Sequence, residues 1–385
     1  MTTLQLKKVG PIVDAEIEFG DLTVFVGPQA SGKSIALQWL KLIADTGAVQ
    51  EQLHNYGLDW STEPGEFLDL YFGEGMRSQW RHDSEILWNG RPVNMQSKVG
   101  RIARSKTESV FLIPAQRVLA LRNGWPRPFG DYDSGDPFTV RAYSERLRIL
   151  MEKELGRGNY VFPQANRLKG DYRKLLQSNV FGDFNLEIDK LRSQKRLVLR
   201  AGGESDAPLP YMVWSAGQRE FVPLLLGLYW LMPPAKVARR NEIKWVVIEE
   251  LEMGLHPRAI TTILLLILEL LSRDYKVCLS THSPQVLDLV WALRALQTHR
   301  ASADDLLAVF EAPKTAPLRQ VATEVLKKSA KVYYFQRSHG TVKDITNLDP
   351  SSQVLEEATW GGLMEFSGRA NEAVAKAVAN GLDRD

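Results

Sequence analysis

At 385 residues, with 44% apolar and 24% charged side chains, the chain has an ordinary globular composition and material for one large domain or two, which excludes disordered and collagen-like classes. Its single cysteine, Cys278, excludes an intrachain disulfide and a cysteine-based zinc site. The net charge of +2 is unevenly spread: residues 77–204 hold 24 Lys and Arg against 14 Asp and Glu, a balance of +10 that leaves −8 elsewhere.

A basic middle on an acidic frame fits an anionic partner, nucleic acid first. It equally fits arginines that solvate helix faces or pair with acids inside an assembly. Residues Met1 to Lys8 show no basic region followed by an apolar run. The richest apolar stretch, Ile263 to Leu271, is broken by Glu269 and is far short of the ~20 residues a bilayer needs. The expectation is a cytoplasmic protein without a membrane partner.

In chain order, Leu4-Gln5-Leu6 and Ala15 to Phe19 alternate apolar and polar residues between turns at Gly10-Pro11 and Gly20-Asp21. Leu22 to Val26 reads as a buried-type strand that runs into a glycine loop, and Ile35 to Ala44 as a helix. Residues 50–110 read as mixed, with several short strands, and Val110 to Ile113 as a buried strand stopped by Pro114. Residues 120–210 are the least regular: loops at 123–128 and 131–137, helices at 141–155 and 164–179, and a strand at 197–200. Alternation then resumes. Gln218 to Met232 reads as a helix, Lys244 to Ile248 as a strand, Pro257 to Arg273 as a helix and Lys276 to Ser280 as a strand. Pro284 to Leu296 follows as a helix, Leu306 to Phe310 and Val332 to Gln336 as strands, and Arg369 to Asn380 as a closing helix. This alternation predicts an α/β fold, a parallel or mixed sheet covered on both faces. No internal repeat or sustained heptad pattern is present, which excludes a long coiled-coil arm.

Five motifs carry chemistry. Gly27-Pro28-Gln29-Ala30-Ser31-Gly32-Lys33-Ser34 fits G-x-x-x-x-G-K-S. Between a buried strand and a helix, its backbone N–H groups can cradle phosphates, Lys33 can reach the β- and γ-phosphates, and Ser34 can bind Mg²⁺. Glu249-Glu250-Leu251-Glu252 follows the strand ending at Ile248. There Glu249 is placed to hold Mg²⁺ and Glu250 to orient or deprotonate an attacking water. Ser280-Thr281-His282-Ser283-Pro284 puts His282 at the same edge to contact a γ-phosphate, and it also reads as a helix cap at Ser283 with Pro284 in the first turn. Ser215-Ala216-Gly217-Gln218 opens an apolar helix and could offer a second phosphate site or an ordinary cap. Gln116 follows the strand ending at Ile113 and could sit near a metal or water.

In this order the five motifs resemble those of the ABC-type ATPase head, in the branch with SMC, RecF and OLD-family proteins. The resemblance covers most of the chain outside 45–105 and 120–210 and implies an ABC-ATPase head with a mixed sheet core covered by helices, plus a mixed or helical insertion. It makes residues 27–34 the Walker A loop, Gln116 the Q-loop glutamine and residues 215–218 the signature motif. Residues 245–250 become Walker B, with Glu249 on the metal beside Ser34 and Gln116; Glu250 becomes the catalytic glutamate and His282 the switch histidine. Glu252 with Leu255-His256-Pro257 is similar to a run typical of stand-alone OLD-like AAA ATPases. Three departures stand out: Glu249 replaces an aspartate, Leu251 a proline and Ala216 a glycine. No TOPRIM nuclease pattern follows His282.

The division expected is 1–119 and 211–345 as two lobes of the head, 120–210 as a basic insertion and 346–385 as a helical tail. The resemblance further implies a slow ATPase using ATP and Mg²⁺, acting as a head-to-tail dimer or higher oligomer. In it, the partner's signature helix would close over each nucleotide. Three roles compete: a nucleotide-switched sensor and scaffold with a separate effector in an anti-phage or toxin–antitoxin module, a RecF- or SMC-like DNA-binding ATPase of repair, and a transport ATPase subunit. The basic residues Arg101, Arg104, Lys106, Arg167, Lys169, Arg173 and Lys174 would bind nucleic acid in one reading, and an acidic protein partner or a neighbouring subunit in the other.

Overall fold

The computed structural model describes residues 2–101, 106–155, 158, 160–164, 166–202, 207–233 and 239–382. The chain opens with an antiparallel hairpin, β1 (Thr2–Val9) and β2 (Ile12–Phe19), in register Leu4 to Ile17. β3 (Leu22–Val26) leads into α1 (Lys33–Asn55), and β4 (Trp80–Trp88) returns to pair antiparallel with β1. β5 (Val110–Ile113) is followed by α2 (Phe138–Leu150) and a second antiparallel unit, β6 (Phe184–Leu191) with β7 (Gln194–Ala201). The last third contains α3 (Ala216–Leu231), β8 (Trp245–Glu249), α4 (Pro257–Ser272), β9 (Lys276–Ser280) and α5 (Pro284–Thr298). β10 (Ala330–Phe335), β11 (Val342–Asp344) and α6 (Glu365–Leu382) complete it.

The central sheet runs β11-β10-β3-β9-β8-β5, parallel throughout except for β11. Alternate side chains of its strands enter two separate cores, as the period of two demands. Val24, Val246, Ile248, Val277 and Leu279 face the core built with α2, α3 and α4. Phe25, Val247, Cys278 and Phe335 face the core shared with α1 and the β1–β2 hairpin. Burial on both faces is why these strands read as unbroken apolar runs. Among the described residues no helix is long and apolar enough to cross a membrane.

The expected strand at 306–310 is instead a helix, Ala303–Val309. Ser302 and Asp305 form a reciprocal capping box, and Leu306, Leu307 and Phe310 bury one helical face, so a local start signal outweighs the short apolar run. Residues 50–110 hold fewer strands than expected, because α1 continues to Asn55 and a second helix covers Pro64–Phe72. The polar residues at 45–47 hide this continuation. Asp45 bends α1 (φ −121°) and accepts bonds from Ser109 N, Ser109 Oγ and Val110 N at 2.6–2.8 Å, with Lys41 Nζ at 2.7 Å. A tertiary partner therefore makes a helix of residues whose own preference is a break.

The expected loop at 123–128 begins as a tight hairpin. Asn123 and Gly124 both take positive φ (53° and 81°) between paired Arg122 and Trp125, the conformation that Asn-Gly favours. Helix 138–155 packs into the same core as α3, where Tyr143 Oη donates to Pro223 O at 2.7 Å.

Candidate nucleotide site

Three neighbouring strands of the parallel sheet, β3, β9 and β8, end at the predicted site residues, each at its C-terminal edge. Ligands of open α/β sheets bind outside that edge. The loop Gly27 to Ser34 leaves β3 through glycines at positive φ, Gly27 (143°) and Gly32 (101°), with Ala30 at 58°. A Cβ on Gly27 would lie 2.5 Å from Phe335 O, and one on Gly32 would lie 2.7 Å from Ile12, so both positions require glycine. Gly32 is the N-cap of α1, and no side chain caps the helix. Its first N–H groups therefore remain available to an anion, with the helix dipole behind them. Ser31 Oγ donates to Pro28 O at 2.8 Å. Lys33 is buried and its Nζ donates to Gly27 O and Pro28 O, both at 2.8 Å. Burial lowers its pKa to about 8, opposed by the charges of Glu250 and Glu252.

At the end of β8, Glu249 is completely buried. Its carboxylate accepts from Ala115 N at 3.1 Å and from Gln38 Nε2 at 3.4 Å. Desolvation pushes its pKa up to about 7, because the two donors are neutral and the guanidinium of Arg117 bonds to the backbone instead. Glu250 holds a left-handed backbone (φ 45°), a strained state for glutamate. It is fixed there by N–H bonds to Ser280 O (3.0 Å) and Ser280 Oγ (3.2 Å). Arg117 Nη2 adds a bond to Glu250 O at 3.1 Å. Glu250 Oε1 stands 3.8 Å from His282 Nε2. His282 N donates to Glu252 Oε1, and Thr281 N to Phe25 O at 3.0 Å, so the loop after β9 is tied to both neighbouring strands.

The sequence did not mark Gln38 or single out Arg117. Gln38 lies four residues after Ser34 on the same face of α1, and that spacing is its only signal. Arg117 is fully buried and clamps the carbonyls of Glu220, Glu249 and Glu250. Gln116 next to it is exposed, and its side chain makes no hydrogen bond among the described residues. Ser283 occupies the N-cap of α5 without a side-chain cap bond, and its own N–H donates to Thr281 Oγ1 at 2.9 Å. His256 caps α4 through Nδ1, with Pro257 in its first turn.

Ser215 caps α3 in a reciprocal box with Gln218, at 3.0 and 3.2 Å. Ser215 and Ala216 are exposed, and Gly217 lies so close to Gly254 that a Cβ would meet its carbonyl at 2.8 Å. No hydrogen bond or ion pair among the described residues joins 215–218 to the phosphate loop.

Magnesium takes oxygen donors. Gln38, whose amide meets the Glu249 carboxylate one helical turn after Ser34, keeps a buried Oε1 without a partner. The donor set thus fits the ion in kind. No group of three His, Cys, Asp or Glu able to hold a metal is present among the described residues, so such an ion would depend on phosphate and water for its other ligands.

Most of the named basic residues are already engaged. Lys106 pairs with Glu51 (2.9 Å), Arg167 with Glu154 (3.0 Å) and Lys169 with Glu269, while Arg173 donates to Leu168 O at 2.5 Å. Arg101 and Lys174 are exposed, and Arg104 lies outside the described residues.

Residues 128–288 match a family described as "AAA domain, putative AbiEii toxin, Type IV TA system". The matched segment holds the Ser215 turn, Glu249, Glu250 and His282, and spans under half of the chain. The fold is an ABC- or SMC-like P-loop ATPase fold. In it the glycine loop after β3, the acidic end of β8 and the histidine after β9 stand at neighbouring strand ends. Among solved structures, an SMC head domain from Thermotoga maritima is 13% identical, with a TM-score of 0.31, covering 74% of this chain and 90% of its own. An Smc head domain bound to the C-terminal domain of ScpA, derived from Pyrococcus furiosus, gives 12%, 0.39, 89% and 96%. The dimeric structure of a bacterial ABC transporter cassette gives 11%, 0.35, 88% and 96%. Superpositions this loose decide nothing by themselves. No curated protein matches the chain.

The raised pKa of Glu249 predicts a pH signature in the nucleotide-free protein. A carboxyl titrating at about 7 when folded, against 4.5 in its ordinary state, binds more protons in the folded chain. Stability therefore falls as pH rises through that interval, by about 3 kcal/mol in all. Glu249→Gln should raise the melting temperature at pH 8 and change it little at pH 5. An equal shift at both values would show that Glu249 carries no such penalty.

Proposed function

We propose that the chain binds and hydrolyses ATP as a nucleotide-switched dimer that controls a separate effector. The observation that carries this reading is the convergence of Lys33, Glu250 and His282 at one sheet edge, with Glu250 Oε1 3.8 Å from His282 Nε2. The α1 N-terminus and Lys33 would hold the β- and γ-phosphates. Glu250 would take a proton from water as that oxygen bonds to the γ-phosphorus; the bond to the bridging oxygen breaks, leaving ADP and phosphate. His282 would contact the γ-phosphate and Gln116 the water. Ser34 and Glu249 would hold Mg²⁺ with Gln38 Oε1, and Gln116 would reach it from the exposed side; the ion supplies charge neutralisation when bound. Within one chain Ser215 and Ala216 are exposed, and no hydrogen bond among the described residues joins 215–218 to the loop, which suits a partner's nucleotide better than their own. A toxin–antitoxin setting is favoured by the matching family, whose description names a type IV TA system.

The test is Ser215→Arg. Its side chain would obstruct closure between two copies while leaving the phosphate loop intact. ATP binding by calorimetry should be unchanged, whereas turnover and the ATP-dependent rise in mass by light scattering should both be lost. Turnover at the wild-type rate in this variant would exclude a shared site.

A further inference from the structure

Away from the sheet edge, a cleft of about 810 Å³ opens between the Asn123-Gly124 hairpin, β7 and the chain before α3. It is large enough for a ligand of nucleotide size. The hairpin is seated on β7 by the bond from Leu197 N to Gly124 O at 2.8 Å, and a Cβ on Gly124 would come within 2.8 Å of Leu197 O. That contact fixes Trp125 on the cleft wall, half-buried, with Lys195 Nζ 5.9 Å from its ring centroid. Pro126 and Tyr211 extend the apolar wall.

The charges of the cleft are not balanced. Arg196 is neutralised by Asp189 at 2.8 Å and Glu152 by Arg148 at 2.7 Å. What remains is Arg122, Arg127 and Lys195 against Asp131. Arg122 and Lys195 are exposed and have no acidic partner among the described residues, and Arg127 lies 3.7 Å over the Tyr132 ring. A flat aromatic ring beside uncompensated cations matches a flat base joined to a phosphate.

We propose that this cleft binds an unpaired nucleotide, its base against Trp125 and its phosphate at Arg122 and Lys195. The nucleotide is either free or part of a single strand. A base locked in a duplex has no free face for Trp125, so duplex is excluded as the preferred ligand. The site is separate from the phosphate loop and does not depend on the ATPase reading, because it is assayed without ATP and also in Lys33→Ala protein.

The experiment is fluorescence anisotropy of a short labelled single strand, the same sequence as duplex, and calorimetry with AMP. The single strand should bind, weakening roughly sevenfold between about 50 and about 200 mM salt for two phosphate contacts. The double variant Arg122→Glu with Lys195→Glu, both exposed positions, should weaken it by at least about tenfold and leave ATP turnover unchanged. Trp125→Ala should cost about tenfold and Trp125→Phe much less, since the ring face is retained. AMP binding that depends on Trp125, without strand binding, identifies a free nucleotide as the source and supports the same site. The proposal is overturned if neither probe binds, if binding ignores these substitutions, or if duplex binds best with no dependence on Trp125.

Discussion

Lys33→Ala should weaken ATP binding on the order of a hundredfold or more, measured by calorimetry at neutral pH. The loop from Gly27 to Ser34 holds no other cation. Lys33 is also what ties that loop together, through bonds to the Gly27 and Pro28 carbonyls. The loss therefore has two parts, a missing charge at the phosphates and a loop no longer held open. Lys33→Arg separates them: it keeps the charge, but its larger head cannot make the same two short bonds in a buried space. Intermediate affinity is expected for arginine. Wild-type affinity in the alanine variant would remove the phosphate-loop assignment altogether. Because burial lowers the Lys33 pKa to about 8, the nucleotide-free ammonium begins to lose its proton just above neutrality. ATP affinity should accordingly decline as pH rises from about 7 to 9 in the wild type, and much less so in Lys33→Arg.

Glu250→Gln should leave ATP binding intact and slow turnover by about a hundredfold to ten-thousandfold, the range for loss of a positioned general base. The amide has the same shape but cannot accept the proton. The trapped species should be an ATP-bound dimer, visible by light scattering. A wild-type rate in this variant would show that Glu250 is not the base. The backbone supplies an independent check. Glu250 sits at φ 45°, pinned by Ser280 and Arg117, and a left-handed residue with a side chain costs about 1 kcal/mol over glycine. Glu250→Gly should therefore stabilise the nucleotide-free fold by about that amount and still lose turnover. Strain kept at this position is then accounted for by the work of its side chain. Glu249→Asp is the companion. It shortens a buried carboxylate held by Ala115 N and Gln38. Faster turnover would make the longer side chain a brake, and an unchanged rate would make it an alternative ligand.

The five parallel strands of the central sheet are legible in the sequence because strands covered on both faces are mostly apolar, with Thr23, Glu249, Lys276, Ser280 and Lys331 as the polar exceptions. The glycine loop is legible too: Gly27 and Gly32 keep the G-x-x-x-x-G-K-S spacing, and the fold places both where any Cβ would strike Phe335 or Ile12. Local signals that compete with tertiary partners were less legible. The short apolar run at 306–310 reads as a strand, but the reciprocal Ser302–Asp305 capping box starts a helix there. The second half of α1 was hidden behind Asp45, whose partners at Ser109 and Val110 are more than sixty residues away. The Asn123-Gly124 hairpin carried its signal in two residues, but prolines on either side of Arg127 masked it.

Which side chains meet is settled only by how the elements pack. Gln38 on Glu249, Arg117 across three carbonyls and Glu252 on the His282 amide leave no mark in the local sequence. Each is a polar group whose partner is fixed by how separate elements stack, and burial makes an unpaired polar group expensive. The same holds for charge. A count gave a basic middle, but pairing across the fold neutralised Lys106, Arg167 and Lys169 and left Arg122 and Lys195 open beside Trp125. Composition reports how many charges a segment carries; only the packing of the elements decides which of them still face an anion.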